Sequence, residues 1–253
     1  MVKNSIKSGL KILAFVAITF IAIGFVGKRQ NDKLIQNIDI RIDNRLNNYF
    51  IDRNELMNLI TENGAENITG LRFNELPLKE IETRVKRHRF VQNAEVFKDL
   101  QGNLVVNAYQ TVAMARVVQR DGPDAYISDQ GRILPVSDKF TARVMIVGGD
   151  YSKKLVTRDL TTDSTSNKIF KLLKFIEQDP FWSVQIAQID IDKAGNISFY
   201  PQVGNQFIEF GKPVDIENKF KKLGIFYSKI LPKKGWNAYK KVNLKFKDQI
   251  ICE

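Results

Sequence analysis

The sequence predicts an α+β protein that follows an N-terminal transmembrane helix. Three observations support this class: one long apolar run near the start, a β-α-α-β-β order of elements behind it, and a strand-rich remainder with two helices. Elements in this order place helices on one face of a sheet. The expected divisions are a tail at residues 1–9, a membrane span at 10–27, a linker at 28–37, a small α+β domain at 38–111, and a β-rich domain with a mixed or antiparallel sheet at 112–253.

The apolar run reads LKILAFVAITFIAIGFVG and carries a single charge, Lys11, at its edge. As a helix it is roughly 27 Å long at about 1.5 Å per residue, close to the bilayer's hydrocarbon thickness of about 30 Å. Lipid offers an open backbone no hydrogen-bond partners, so a spanning segment of this kind has to be helical. The span is expected to include Leu10, Phe15, Phe20 and Gly27.

A cleaved signal peptide is the alternative for this segment. Ala22–Gly24 has the small-x-small pattern of a cleavage site, and the preceding lysines would form the charged region. The length of the run and the closing pair Lys28 and Arg29 favour a retained anchor. Charge does not decide the orientation, because three basic residues flank the run on each side.

Composition argues against an enzyme. With one histidine, His88, and one cysteine, Cys252, an internal disulfide is excluded, and a histidine-based metal site or triad is hard to build. The sequence has no Gly-rich phosphate loop and no Gly-x-Ser-x-Gly elbow. We therefore expect no catalytic residue, no cofactor and no metal ligand. The net charge of +11 is scattered without interleaved aromatics, which fits a surface beside an anionic bilayer better than nucleic acid.

Periodicity and end signals define the elements of the first domain. Alternation predicts strands, and apolar spacing of three or four residues predicts helices. The first helix begins at a capping box, Asp52–Glu55, and stops at Gly64. The second helix begins near Pro77 and carries the stripe Leu78, Ile81 and Val85. The expected strands are Ile38–Asp43, Ala94–Phe97 and Leu104–Tyr109, the last two joined at Gln101–Asn103.

The same signals divide the second domain. Its expected helices are Asn167–Gln178 and a long helix capped by Asp215 with the stripe Ile216, Phe220, Leu223, Tyr227 and Ile230. A polar loop is expected at Thr157–Thr165. The expected strands are a hairpin over Ala125–Val136, then Arg143–Val147, Ile186–Asp192, Asn196–Tyr200, Gln206–Phe210 and Lys241–Phe246.

The last of these strands suggests a binding function. Val242, Leu244 and Phe246 alternate with polar residues, and a strand this near the chain end is expected at a sheet edge. Free backbone groups at an edge accept a strand from another protein. Lys241, Lys245 and Lys247 on the polar face would favour an acidic partner.

Five segments, taken in order, resemble the bacterial cell-division family of FtsQ and DivIB. These are Phe90–Val96, Tyr126–Leu134, Gly204–Gly211, Lys219–Leu231 and Trp236–Phe246. No single motif is specific to the family. The resemblance rests on the order and spacing of the motifs over nearly the whole chain. Two segments depart from the family pattern: Tyr109–Ala113 stands where Glu-Arg-x-Pro-x-Ala is common, and Val242–Phe246 lacks the family's Asp and Arg.

The resemblance implies that the first domain is a POTRA module and that the protein is a non-enzymatic scaffold of the division septum. Its N-terminus would be cytoplasmic, its single span would lie in the cell inner membrane, and its body would be periplasmic. The POTRA module would help septal recruitment, and the C-terminal region would bind FtsB/DivIC-like and FtsL-like single-span partners that regulate septal wall synthesis. The expected partner-binding residues are Trp236, Tyr239, Val242, Asn243, Leu244, Lys245, Phe246, Gln249 and Ile251.

Three alternatives remain at this point. Another POTRA-bearing membrane assembly or translocation component would usually show tandem modules or a series of barrel strands, and neither pattern is found in the sequence. An anchored cell-wall hydrolase would turn over cell wall, and a membrane-tethered DNA binder would show a steep salt dependence.

Overall fold

The computed structural model describes residues 13, 15–19, 34–44, 48–158, 160–247 and 249–253. Most of the predicted span, including Leu10, Phe20 and Gly27, lies outside the described residues. Leu13 and residues 15–19, among them Phe15, are helical. Within the described residues, no helix combines the length and apolarity needed to cross a membrane.

The chain forms two compact units. The first comprises Met1–Arg45 and Ile51–Gln110, and the second comprises Leu46–Phe50 and Thr111–Glu253. Each has its own hydrophobic core cluster.

The first unit has the predicted β-α-α-β-β order. Its described elements are β1 (Ile38–Asp43), α1 (Arg53–Ile60), a 3-10 turn (Phe73–Glu75), α2 (Leu78–Lys86), β2 (Val91–Lys98) and β3 (Leu104–Gln110). The sheet order is β1-β3-β2, with β1 parallel to β3 and β2 antiparallel to it. Both helices pack on this sheet through Leu56, Ile60, Ile81 and Val85, against Ile40, Ala94 and Val106.

Local signals position the helices of this unit. The Asp52 carboxylate accepts the Glu55 N–H at 2.8 Å, and the Glu55 carboxylate accepts the Asp52 N–H at 3.4 Å, which confirms the capping box. The helix ends at Ile60 rather than just before Gly64, because Glu62 and Asn63 already adopt left-handed conformations. Pro77 lies at the residue before α2 instead of in its first turn.

The second unit is built on one mixed sheet. Its described strands are β4 (Ala113–Val117), β5 (Ala125–Ser128), β6 (Ile133–Pro135), β7 (Met145–Gly148), β8 (Ile186–Ile191), β9 (Ile197–Pro201), β10 (Phe207–Gly211), β11 (Lys241–Asn243) and β12 (Ile251–Cys252). Their spatial order is β12-β11-β10-β9-β8-β7-β4-β5-β6. The pairs β4–β7, β7–β8 and β10–β11 are parallel, and the remaining pairs are antiparallel.

The helices of this unit are α3 (Ser152–Thr157), α4 (Ser164–Gln178), α5 (Trp182–Gln185), α6 (Ile216–Ile225), a π-helical segment (Phe226–Ile230) and α7 (Leu231–Lys234). The predicted polar loop Thr157–Thr165 is shorter than expected, because Asp163 caps α4 by accepting the Ser166 N–H at 2.9 Å. The stripes of α4 and α6 pack on the sheet through Ile169, Leu172, Phe220 and Leu223.

The π-helical segment changes which residues face the core. Its additional residue per turn buries Phe226 and Tyr227 together, and Leu231 replaces the predicted Ile230 as the next fully buried side chain. Asp215 precedes α6 in a left-handed conformation, and its carboxylate accepts from the Asn218 side chain at 2.6 Å. Asp215 therefore lies at the predicted N-cap position, but its carboxylate makes no capping hydrogen bond to the helix backbone.

Gly149 is required by a close backbone approach between β7 and β8. Its φ is +93°, and a Cβ atom at this position would lie 2.4 Å from the carbonyl oxygen of Ile191. The same close approach allows the Tyr151 N–H to donate a hydrogen bond to the carbonyl oxygen of Ile191 at 3.0 Å.

Residues 48–50 belong to the second unit although most of the chain around them belongs to the first. Phe50 is fully buried, and its ring centroid lies 5.6 Å from that of Tyr126 and 5.0 Å from that of Phe140. The second unit therefore takes a core aromatic from a stretch that precedes both helices of the first.

Candidate partner-binding edge

The predicted terminal strand is an interior strand. β11 covers only Lys241–Asn243 and lies between β10, to which it is parallel, and β12, to which it is antiparallel. Beyond Asn243, the N–H of Leu244 still donates to Glu209 O at 2.9 Å, and then the ladder ends. The prediction of an edge strand at Lys241–Phe246 is therefore wrong, and β12 forms the edge.

The hydrogen bonds between β11 and β12 show which backbone groups face outward. Lys241 and Glu253 exchange both backbone bonds, at 2.9 and 3.0 Å, so they form a hydrogen-bonded pair. The next pair along an antiparallel ladder, Val242 with Cys252, is then non-hydrogen-bonded. The N–H and C=O of Cys252 consequently point away from β11, where an added strand can reach them.

The nine residues predicted to bind a partner differ in how far their side chains are exposed. Val242 and Leu244 are fully buried in the core of the second unit, so their side chains are not available to a partner. Tyr239 is half-buried with its ring 6.1 Å from that of Phe226. Ile251 is half-buried in the edge strand itself. The exposed members are Trp236, Lys245, Phe246 and Gln249.

Asn243 and two of the lysines predicted to favour an acidic partner are already bound to a carboxylate. Glu209 on β10 pairs with Lys241 at 3.0 Å and with Lys245 at 2.9 Å, and Asn243 Nδ2 donates to the same carboxylate at 3.0 Å. The hydrogen bond from Lys245, with that from Lys241, holds the pKa of Glu209 below its usual value. The third of these lysines, Lys247, is exposed.

Two lysines of α6 hold the backbone beside this edge, and sequence reasoning missed both. Lys219 is buried, and its Nζ donates to Phe210 O at 2.9 Å and Lys212 O at 2.8 Å, while burial lowers its pKa. Lys222 donates to Leu244 O at 3.3 Å, to Lys247 O at 3.4 Å and to Phe246 O. The available signal was their spacing of three residues, which gives them one helix face.

Replacing Lys222 with methionine is expected to loosen residues 244–247, which lead into β12. Loss of a charged donor shared by several carbonyls should cost about 1–2 kcal/mol and raise amide exchange there at least about tenfold. Hydrogen exchange followed by mass spectrometry measures the effect. Lys221→Met is the matched control, because Lys221 is exposed on the same helix. Equal protection in both variants would show that Lys222 does not hold this turn.

Potential metal ligands do not form a cluster in the described part of the chain. No group of three or more His, Cys, Asp or Glu residues there is arranged to hold a metal ion. His88 lies after α2 with Nε2 3.8 Å from the Glu55 carboxylate. The thiol of Cys252 is half-buried, and burial raises its pKa.

Two protein-family models match the chain, in two segments that follow one another in the sequence. Residues 112–253 match the family described as FtsQ/DivIB, C-terminal related, which is more than half of the chain. Residues 33–109 match a POTRA-like domain. No curated protein matches the chain.

Proposed function

The chain belongs to the FtsQ/DivIB, C-terminal related family, and from this premise we propose that it is a non-enzymatic scaffold of the bacterial division septum. The match over residues 112–253 is the observation that carries the proposal. A POTRA-like domain alone would fit other membrane assembly proteins equally well, whereas the C-terminal match favours cell division.

The proposed scaffold is anchored by residues 10–27 in the cell inner membrane, with a cytoplasmic N-terminus and a periplasmic body. The apolar run without acidic residues supports the anchor. A single-span tether keeps the body near other single-span proteins, which raises their effective concentration for binding.

We further propose that FtsB/DivIC-like and FtsL-like partners bind at the C-terminal edge, and that the POTRA-like domain contributes to septal recruitment. The outward N–H and C=O of Cys252 support addition of a partner strand to β12 rather than to β11. The exposed side chains of Trp236, Phe246 and Gln249 are candidates for further contact.

Depletion of the protein in its native cell is the test of the division function. Cells that lose the protein are expected to grow as undivided filaments while DNA replication continues, and microscopy of membrane- and DNA-stained cells measures this. Re-expression of the full chain should restore septa. Normal division after complete depletion would contradict the proposed function.

A further inference from the structure

The C-terminal unit carries a stretch of unusual charge. Residues 218–247 contain ten lysines and no aspartate or glutamate. Four of these lysines have structural partners: Lys219 and Lys222 bind backbone carbonyls, and Lys241 and Lys245 bind Glu209. The other six are exposed, and none forms an ion pair with another described residue: Lys221, Lys229, Lys233, Lys234, Lys240 and Lys247.

Exposed aromatic side chains accompany these lysines. Phe181 is 50% exposed and Trp236 is 45% exposed. The ring of Tyr227 contacts both, with its centroid 5.9 Å from that of Phe181 and 6.2 Å from that of Trp236. We call Phe181, Trp236 and the buried Tyr227 that contacts both of them the aromatic ridge. Val184, on the same short helix as Trp182 and one turn beyond Phe181, extends the apolar surface because it is 72% exposed.

Three exposed lysines are close to the ridge residues in sequence. Lys233 and Lys234 end α7, and only Gly235 separates them from Trp236. Lys229 is exposed on the π-helical segment that supplies Tyr227. The carboxylate of Asp179 is next to the ridge in sequence, but it accepts the N–H groups of Phe181 and Trp182 at 2.9 and 3.0 Å.

We propose that the aromatic ridge, together with Lys229, Lys233 and Lys234, is a peripheral binding surface for anionic phospholipid headgroups. Tryptophan and phenylalanine sit favourably at the boundary between headgroups and acyl chains, and lysine lays its alkyl stem along apolar surface while its ammonium group reaches a phosphate. An acidic protein segment would use the lysines alone. Single-stranded nucleic acid would also stack its bases on the aromatic rings, but it would not use the exposed aliphatic side chain of Val184, which a lipid surface accommodates. The proposal goes beyond the scaffold function and does not depend on strand addition at β12.

The test uses residues 34–253, because this part of the chain contains every described residue of both hydrophobic core clusters. Co-sedimentation is measured with vesicles of phosphatidylcholine alone and with an equal mixture of phosphatidylcholine and phosphatidylglycerol. Binding to the mixed vesicles, weakened by salt and accompanied by a blue shift of tryptophan fluorescence, is the expected result. Absence of binding to the mixed vesicles would overturn the proposal.

Matched variants separate a specific surface from general positive charge. Changing Lys229, Lys233 and Lys234 together to glutamine is expected to reduce vesicle binding at least about tenfold. Changing Lys168, Lys171 and Lys174 to glutamine removes three exposed charges from α4 and is expected to have little effect. Equal losses in the two triple variants would overturn the proposal, because only net charge would then matter.

Trp236→Ser distinguishes a lipid surface from other polyanion-binding surfaces. Because Trp236 is exposed, the variant is expected to unfold at the same urea concentration as the wild type while binding mixed vesicles severalfold more weakly. Binding of the wild type to polyglutamate or duplex DNA serves as the comparison. Vesicle binding that is insensitive to Trp236 and no tighter than binding to these polymers would overturn the lipid assignment.

Discussion

Proline at position 252 is expected to weaken binding of an FtsB/DivIC-like partner at least about tenfold. The substitution removes the N–H of residue 252 in the edge strand β12, which faces away from β11 and is available to an added strand. The bonds between Lys241 and Glu253 do not involve the N–H of Cys252, so β12 should stay paired with β11. Titration of the partner's extracytoplasmic region into residues 34–253 measures the affinity.

Two controls define what the Cys252→Pro result means. Cys252→Ala keeps the N–H and removes the thiol, so it should bind the partner nearly as the wild type does. Ile251→Pro removes an N–H that faces β11 and should release the edge strand, which hydrogen exchange would report. Partner affinity that is unchanged by Cys252→Pro would refute strand addition at β12, while the family-based scaffold proposal would stand on the depletion experiment.

Proline at Leu244 would be less informative than proline at Cys252. The N–H of Leu244 donates to Glu209 O within the protein, and the side chain is fully buried. A loss of partner binding in Leu244→Pro could therefore follow from damage to the fold alone.

Alanine at Gly149 is expected to lower the free energy of unfolding by at least about 3 kcal/mol. Its Cβ would lie 2.4 Å from the oxygen and 2.6 Å from the nitrogen of Ile191, and both are backbone atoms that cannot move without disturbing β8. Urea unfolding followed by circular dichroism measures the loss.

Gly64→Ala is the matched control for this prediction. Gly64 also has a positive φ, +86°, but no atom lies within 4 Å of its ideal Cβ position. Its substitution should cost only the conformational penalty of about 1–2 kcal/mol. Equal losses at the two positions would mean that the approach between Gly149 and Ile191 does not limit the stability of this sheet.

Sequence reasoning succeeded where the determinants are local. The capping box at Asp52 and the hairpin between β2 and β3 depend on residues close in the chain, and both are present. In the hairpin, Asp99 accepts the N–H groups of Gln101, Gly102 and Asn103 and so organises the turn. The predicted strands agree with β8, β9 and β10, because apolar and polar residues alternate clearly there and glycines mark the turns between the strands.

Sequence reasoning failed where tertiary contacts decide. β12 has two residues, too few to show alternation, and it exists because it pairs with β11. Its presence converts the predicted edge into an interior strand. The π-helical segment shifted the buried stripe to Phe226 and Leu231, and Lys222 turned inward because backbone carbonyls surround it. β12 and the π-helical segment have no periodic signal in the sequence, and the spacing of Lys219 and Lys222 shows only that they share a helix face.

The position of Phe50 has a consequence for biosynthesis. Translation proceeds from the N-terminus, so Phe50 is made before both helices of the first unit and long before Tyr126 and Phe140. The first unit has all its residues once Gln110 is made, whereas the rings of Tyr126 and Phe140 that pack against Phe50 are made later. The C-terminal unit therefore cannot complete its core in the order in which its residues are synthesised. Residues 48–50 leave the ribosome first, and residues 51–110 of the other unit follow before the rings that cover Phe50 are made.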